Sequence, residues 1–344
     1  MEQKSVLIGM SGGVDSSVAA ALLKEQGYHV IGATMRLWTY SDSCNMKHEG
    51  CCAESAVEDA RRVCDKLGID FYVMNFKDMF KDKVVDYFVD EYIHGRTPNP
   101  CIACNKYLKF DALLKKALAM GIDYVATGHY AKIEKGEDGK YILRASEAVK
   151  KDQSYVLYNF TQEQLAHTLM PLGGYNKDWV RQKAEELGLG VAHKPDSQEI
   201  CFVEDDDYAK FITDYSGYEP KEGDILDVNG NVIGKHRGLI YYTIGQRKGI
   251  GAYGRPMFVM KIDAENNTIT LGEKGMEFSN ELTAYDVNFV SGEFPKENML
   301  ITAKVRYQAP PAAAMLCPQK DGTVKLMFPE PQRAVTPGQA VVFY

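Results

Sequence analysis

The chain has 344 residues, 45% apolar and 25% charged, which suffices for two or three domains with real cores and excludes a peptide, a disulfide-stapled miniprotein and wholesale disorder. No apolar run approaches the roughly 18 residues that cross a bilayer, and the polar start lacks a signal-peptide pattern, so a cytoplasmic protein with no membrane partner is expected. The net charge of -7, from 40 Lys and Arg against 47 Asp and Glu, argues on its face against nucleic acid, and eight cysteines in a reducing compartment read as core residues, metal ligands or catalysts rather than disulfides.

Ser5 to Met10 is a short apolar run, the pattern of a buried strand. After the glycines, Val14, Val18, Ala21 and Leu22 fall at helical spacing over Val14 to Gln26, and Gly27 stops the helix. His29 to Leu37 reads as a strand and 54 to 67 as a helix with Val57, Ala60, Val63, Cys64 and Leu67 on one stripe. Phe71 to Phe76 and Tyr124 to His129 are strands, and Met79 to Ile93 and Asn105 to Met120 are helices. This alternation predicts an α/β fold, a parallel sheet covered on both faces with its ligand outside the carboxyl ends of the strands. From Thr268 onward, short strand-like runs (Thr268 to Leu271, Ile301 to Arg306, Val324 to Phe328, Ala340 to Phe343) alternate with Gly, Pro and Asn turns, the pattern of a small β-barrel or sandwich. The expected division is 1–205, a connecting module at 206–267 and the β module at 268–344.

Charge is unevenly placed. Phe202 to Asp227 holds nine acidic and two basic residues, the whole of the net charge. Val232 to Lys261 has six Lys or Arg and no acid, and Arg96 to Lys116 has five basic residues against Asp111. A basic stripe is usually a solvated face, but two beside candidate chemistry point to a phosphate-backbone partner.

Gly9-Met10-Ser11-Gly12-Gly13-Val14-Asp15-Ser16-Ser17 joins the first strand to the first helix. Its glycines let the backbone approach an anion, and its free N–H groups and Ser hydroxyls can donate to phosphate. Asp15 is better suited to Mg than to direct phosphate contact. The Gly-Lys-Ser/Thr ending of a Walker loop is missing, which disfavours γ-phosphate hydrolysis. Gly249-Ile-Gly251-Ala-Tyr-Gly254 has dinucleotide-binding spacing but leads into a strand-like run, not a helix, and is rejected.

Cys101 and Cys104 stand close to a predicted helix N-terminus and Lys106, where thiol pKa values are lowered. Cys44, Cys51, Cys52 and His48 have irregular spacing for zinc. Cys64 and Cys317 read as core residues, and Cys201 stands alone in Ile200-Cys201-Phe202.

Ser11-Gly12-Gly13-Val14-Asp15-Ser16 resembles the signature of the PP-loop ATP pyrophosphatase superfamily. The resemblance implies cleavage of ATP between the α and β phosphates and places Met35 and Gly128 against the adenine. Arg96-Thr-Pro-Asn-Pro, Cys104-Asn-Lys, Ala126-Thr-Gly-His129-Tyr, Lys151-Asp-Gln-Ser-Tyr155, Ile200-Cys-Phe202 and Thr243-Ile-Gly-Gln-Arg-Lys-Gly249 resemble, in order and separation, the bacterial tRNA-uridine 2-sulfurtransferases, or 2-thiouridylases. That resemblance implies a PP-loop domain, a small central domain and a C-terminal β-barrel. It also implies Cys104 as nucleophile, Cys201 as the persulfide carrier, and Asn99, Pro100 and Cys101 around the target base. Lys151, Asp152, Gln153, His129, Arg306, Tyr307 and Gln339 match tRNA-contacting positions. The common pattern has Asp three residues before the nucleophile, where this chain has Cys101, and the last residues, Val341 to Tyr344, stop short of a glycine-rich strand many relatives carry.

The activity implied is ATP-dependent 2-thiolation of the tRNA wobble uridine: O2 is adenylated and sulfur arrives from a persulfide loaded by a cysteine desulfurase or a relay protein. Two alternatives stand beside it: an iron-sulfur cluster on Cys101, Cys104 and Cys201 in a version of the same reaction, and a PP-loop ligase or amidotransferase acting on a small molecule.

Overall fold

The apolar runs and amphipathic helices of the first half assemble as a five-stranded parallel sheet in the computed structural model, which describes residues 3–38, 54–148, 151–196, 200–203 and 206–344. The chain divides into two compact units, one of residues 1–84, 101–203 and 288–293, the other of 85–100, 204–287 and 294–344.

In the first unit the chain runs β1 (Ser5–Gly9), α1 (Val14–Glu25), β2 (His29–Arg36), α2 (Glu54–Leu67), β3 (Asp70–Asn75) and α3 (Lys77–Phe80). Further on come α5 (Pro100–Ala103), α6 (Leu113–Ala119), β4 (Tyr124–Ala126), the hairpin β5 (Ala131–Lys135) and β6 (Tyr141–Ala145), α7 (Gln162–Ala166), β7 (Thr168–Leu169) and α8 (Lys177–Glu186). Sheet order is β3-β2-β1-β4-β7, with every pairing parallel. Val6, Leu7 and Ile8 have no solvent exposure, and neither do Val18, Ala19 and Ala20 of α1. Such a central strand must be apolar on both faces, which is why β1 reads as a continuous run rather than an alternating one. A Cβ on Gly32 of β2 would lie 2.6 Å from Cys64 Sγ, so α2 docks through a thiol against a strand with no side chain at that point. Strand order reverses at β1, so a crevice opens beyond the carboxyl ends of β1 and β4.

Several boundaries differ from the sequence reading. β4 ends at Ala126, leaving Thr127 to His129 as loop. The second long helix starts at Pro100 rather than Asn105, continues as a π-helix over Cys104–Ala112, and only then becomes α6. The helix expected over Met79 to Ile93 likewise passes through a π segment, Lys81–Asp86, between α3 and α4 (Tyr87–Ile93). The β5–β6 hairpin and α8 carry no signal that the sequence reading used.

The second unit contains α9 (Tyr208–Ser216), β8 (Gly223–Leu226), β9 (Val232–His236), β10 (Met257–Asp263), β11 (Thr268–Glu273), β12 (Phe278–Ala284), β13 (Met299–Lys304), β14 (Ala312–Pro318), β15 (Val324–Arg333) and β16 (Val342–Phe343). One sheet has the order β10-β11-β8-β9 and the other β12-β15-β14-β13-β16. β11, expected to open the last module, pairs antiparallel with β10 and parallel with β8. Its Ile269 and Leu271 pack with Ile225, Leu239 and Val259, so burial assigns it to the central sheet. Gly249, Gly251 and Gly254 lie in a loop before β10 with φ of +75°, +101° and +69°, a strand entry with no helix behind it.

Candidate active site

The phosphate loop is shaped by its own short-range bonds. Gly13 caps α1 at its N-terminus without any side-chain hydrogen bond, which leaves the first-turn N–H groups for an anion. Ser16 Oγ accepts from Ser11 N–H at 3.2 Å and lies 3.2 Å from Ser11 Oγ, and Ser17 Oγ donates to Gly13 O at 2.8 Å. Met10, Val14, Ser16 and Ser17 are buried, so only the backbone of Met10 and Val14 can serve a ligand. Gly12 has φ +70°, and a Cβ there would lie 2.3 Å from Ala56 O. Gly128 approaches the same turn from the end of β4: its Cβ would lie 2.7 Å from Ser16 N. Both glycines hold backbone where no side chain fits, which permits a tight turn beside the helix N-terminus. Met35 is half-buried near the end of β2.

Asp15 sits in the first turn of α1. Tyr130 donates its hydroxyl to Asp15 Oδ1 at 2.6 Å, and Lys177 Nζ reaches both Asp15 oxygens at 2.8 Å. Burial first, and the Asp15 charge second, push the Tyr130 hydroxyl well above its usual range, so it stays a donor. Lys177 also reaches Asp196 Oδ1 at 2.6 Å, Lys151 donates to Asp196 Oδ2 at 2.8 Å, and Arg181 lies 3.7 Å from Oδ1. Burial pushes the Asp196 carboxyl up, but the hydrogen bonds and charges of Lys151 and Lys177 outweigh it and bring it to about 2. A second lysine, Lys194, donates to Gly12 O at 3.1 Å and to Asp59 at 2.9 Å. Tyr130, Lys177 and Lys194 thus bond the loop and Asp196 joins them through Lys177, contacts to which sequence reasoning gave no role. No motif marks Lys177: it is simply the first residue of α8, 162 positions from Asp15.

The residues around 151 serve the scaffold as well. Asp152 accepts from Ser146 N–H at 2.9 Å and from Ser154 Oγ at 2.7 Å, and Gln153 Oε1 accepts from Tyr130 N–H at 2.9 Å. His129 Nδ1 is 2.7 Å from Thr127 Oγ1, and its ring lies 5.8 Å from that of Phe110. Burial, and then the Lys109 charge, hold its pKa well below the ordinary histidine value.

Cys101 is exposed, Cys104 is buried at 8% exposure and Cys201 is intermediate. Because the helix begins at Pro100, Cys101 lies in its first turn and Cys104 a turn deeper. Cys101 is thus nearer the helix N-terminus than the sequence reading, which began the helix at Asn105, placed it. Among the described residues no three His, Cys, Asp or Glu side chains form a metal-holding group. Cys64 is core, Cys317 is only half-buried, and Cys44, His48, Cys51 and Cys52 lie outside the described residues.

In the second unit, Gln339 donates to Thr97 O at 2.6 Å and Thr97 N–H to Pro337 O at 2.9 Å. A Cβ on Gly338 would lie 2.7 Å from Thr97 N. Gln339 is thereby held against the irregular segment leading to Asn99 and Pro100. Arg306 clasps Ile244 O at 2.8 Å and Ala334 O at 3.0 Å and also bonds Thr336, while Tyr307 is 38% exposed. Most of the basic stripe at 232–261 is committed internally: Lys235 to Asp224, Arg255 to Glu273, Lys261 to Asp263, and Arg237 stacked 4.0 Å from the Tyr241 ring centroid. Arg247 and Lys248 remain exposed.

A parallel sheet with a glycine-rich phosphate loop leaving its first strand, followed by two β modules, defines a nucleotide-binding α/β protein with β-barrel appendages. A family model described as the tRNA methyl transferase HUP domain matches residues 4–205, its PRC-barrel domain matches 209–273, and an aminomethyltransferase β-barrel domain matches 279–344. The chain is 59% identical to the tRNA-specific 2-thiouridylase MnmA of Acetivibrio thermocellus over 100% of its own length and 97% of the relative's. It is 58% identical to that of Clostridioides difficile over 99% and 95%. The chain belongs to the tRNA-specific 2-thiouridylase family.

Proposed function

We propose that this protein is a tRNA-uridine 2-sulfurtransferase that adenylates O2 of the wobble uridine with ATP and replaces that oxygen with sulfur. The observation carrying the reading is the coexistence, in one unit, of an anion-binding loop at the α1 N-terminus with Cys104 and Cys201. A small-molecule ligase needs the loop but neither cysteine, and methyl transfer, named in the family-model descriptions, needs no such loop.

The N–H groups of Gly12 to Ser16 bind and orient the ATP phosphates, and Lys194 braces the turn. Asp15 is the residue suited to hold Mg, which when bound would neutralise phosphate charge at the loop. Met35 and Gly128 border the adenine, and Asn99, Pro100 and Cys101 border the uridine. Attack of O2 on the α-phosphate releases pyrophosphate. Cys104 thiolate then attacks the inner sulfur of a Cys201 persulfide and expels hydrosulfide, which displaces AMP from C2 and leaves a Cys104–Cys201 disulfide for a thiol to reduce. Cys101 is an auxiliary thiol in this scheme. Lys151, Asp152, Gln153 and His129 in the first unit, and Arg306, Tyr307 and Gln339 in the second, are the residues offered to RNA, of which Asp152, Gln153 and Arg306 support their loops as much as any ligand. The persulfide is supplied by a cysteine desulfurase or a relay protein, in the cytoplasm where tRNA is found.

The test is nucleoside mass spectrometry of tRNA from a deletion strain complemented with the wild type or with Cys101→Ala, Cys104→Ala or Cys201→Ala. Full restoration of 2-thiouridine by the Cys104 and Cys201 variants refutes the scheme. Iron and labile sulfide in anaerobically purified, active protein would replace it with the cluster version.

A further inference from the structure

Asp196 takes lysines from two directions. Lys177, with its side chain 11% exposed, bridges Asp196 and Asp15, whereas Lys151, 41% exposed, holds the other Asp196 oxygen. The four charges form a chain, Asp15–Lys177–Asp196–Lys151, that runs from the phosphate loop to a residue of the proposed RNA-facing set. We propose that Lys177 and Asp196 are positioning residues that make RNA binding by Lys151 depend on occupancy of the phosphate loop. The idea rests on the functional reading above and adds to it a route by which one substrate prepares the site for the other.

The physical step is competition between cations for one carboxylate. With the loop empty, Lys177 divides its hydrogen bonds between Asp15 and Asp196, so Asp196 retains enough charge to hold Lys151. A magnesium nucleotide at the loop engages Asp15 and repels the ammonium beside it. Lys177 then gives its donors to Asp196, whose attraction for Lys151 falls. Arg181 adds a further positive charge to the same carboxylate, its guanidinium standing 3.7 Å from Asp196 Oδ1. Lys151 leaves for an RNA phosphate. Linkage requires the reciprocal effect: RNA on Lys151 returns Lys177 to Asp196 and eases cation capture by Asp15.

The experiment measures the affinity of the full chain for an unmodified tRNA transcript carrying a wobble uridine across a salt series, with and without magnesium α,β-methylene-ATP. One added phosphate contact steepens the slope of log K against log salt by about 0.7 to 0.9. The wild type is expected to show that steepening, together with RNA binding tightened about fivefold or more by the nucleotide. Lys177→Met should give the shallow slope in both states and Lys177→Arg should restore the dependence. Asp196→Asn, which releases Lys151 permanently, should give the steep slope in both states, and Lys151→Met the shallow one. A wild type that binds both ligands with an unchanged slope overturns the coupling and leaves the functional reading intact, as does an Asp196→Asn protein that still responds to nucleotide. A wild type that binds neither ligand overturns the functional reading and the coupling with it.

Discussion

Gly12 and Gly13 are adjacent and chemically identical, yet the structure assigns them opposite tolerance. Gly12 has φ +70°, and a Cβ would fall 2.3 Å from Ala56 O and 2.9 Å from Ala56 C and Cα. Those are backbone atoms of α2, so the whole helix must move. The left-handed conformation costs an L-residue roughly 1–2 kcal/mol, and forcing atoms into a filled space costs roughly 1–3 kcal/mol. Gly12→Ala should therefore destabilise the first unit by about 2–5 kcal/mol. Gly13 has φ −103° and ψ 168°, ordinary extended backbone, and its Cβ would meet only Ser11 Oγ at 3.4 Å. Gly13→Ala loses a favourable helix cap but restricts the unfolded chain, so its net effect stays within about 1 kcal/mol. Differential scanning calorimetry separates the two, because a domain of this size shifts about 2–4 °C per kcal/mol. Gly12→Ala should lower the transition by on the order of 10 °C, while Gly13→Ala should leave it nearly in place. Equal shifts for the pair would refute the steric argument.

Three further outcomes follow from burial and charge. Iodoacetamide at pH 8 with peptide mapping should label exposed Cys101 faster than Cys64 and leave Cys64 unlabelled, because burial, and then Asp65, raise the Cys64 thiol to about 12; comparable rates at the two sites contradict this. His129 is held below the ordinary value of 6.5, so the unfolded chain binds its proton first, and the stability due to neutral His129 is lost as pH falls below about 6.5 toward the folded value. The Tm difference between wild type and His129→Gln should accordingly narrow from pH 7.5 to pH 5.5, and a constant difference removes that linkage. Asn105 is buried, donates to Val156 O at 3.0 Å and accepts from Lys109 at 2.8 Å. Asn105→Leu strands both partners and should cost about 1–3 kcal/mol in urea unfolding, with no loss expected only if the amide is dispensable.

The phosphate loop was legible because everything that forms it lies within a dozen residues: an apolar strand, glycines that permit the turn, serines that bond within it and the start of a helix. Cys64 was legible for a related reason, since its helical stripe already faced the core. The start of the helix bearing Cys104 was misread because Pro100 suits the first turn as well as it suits a loop, and local pattern does not choose. β11 was assigned to the wrong module because a four-to-six-residue strand carries no record of its partners. Its place beside β8 and β10 is settled by which apolar face Ile269 and Leu271 share.

The sequence by itself determined the α/β-then-β order, the anion-binding turn and the family, each carried by short-range periodicity or ordered motifs. Tertiary structure alone decided that Asp15 is shared with Tyr130 and Lys177, that Arg306 is a clasp, and that most of one basic stripe is spent on internal pairs. The Asp15 contacts join residues 115 and 162 positions apart, and the Arg306 clasp joins residues 28 and 62 positions apart. Composition counts such charges, whereas only the folded backbone sets the few ångströms that decide which of them neutralise one another and which remain for a ligand.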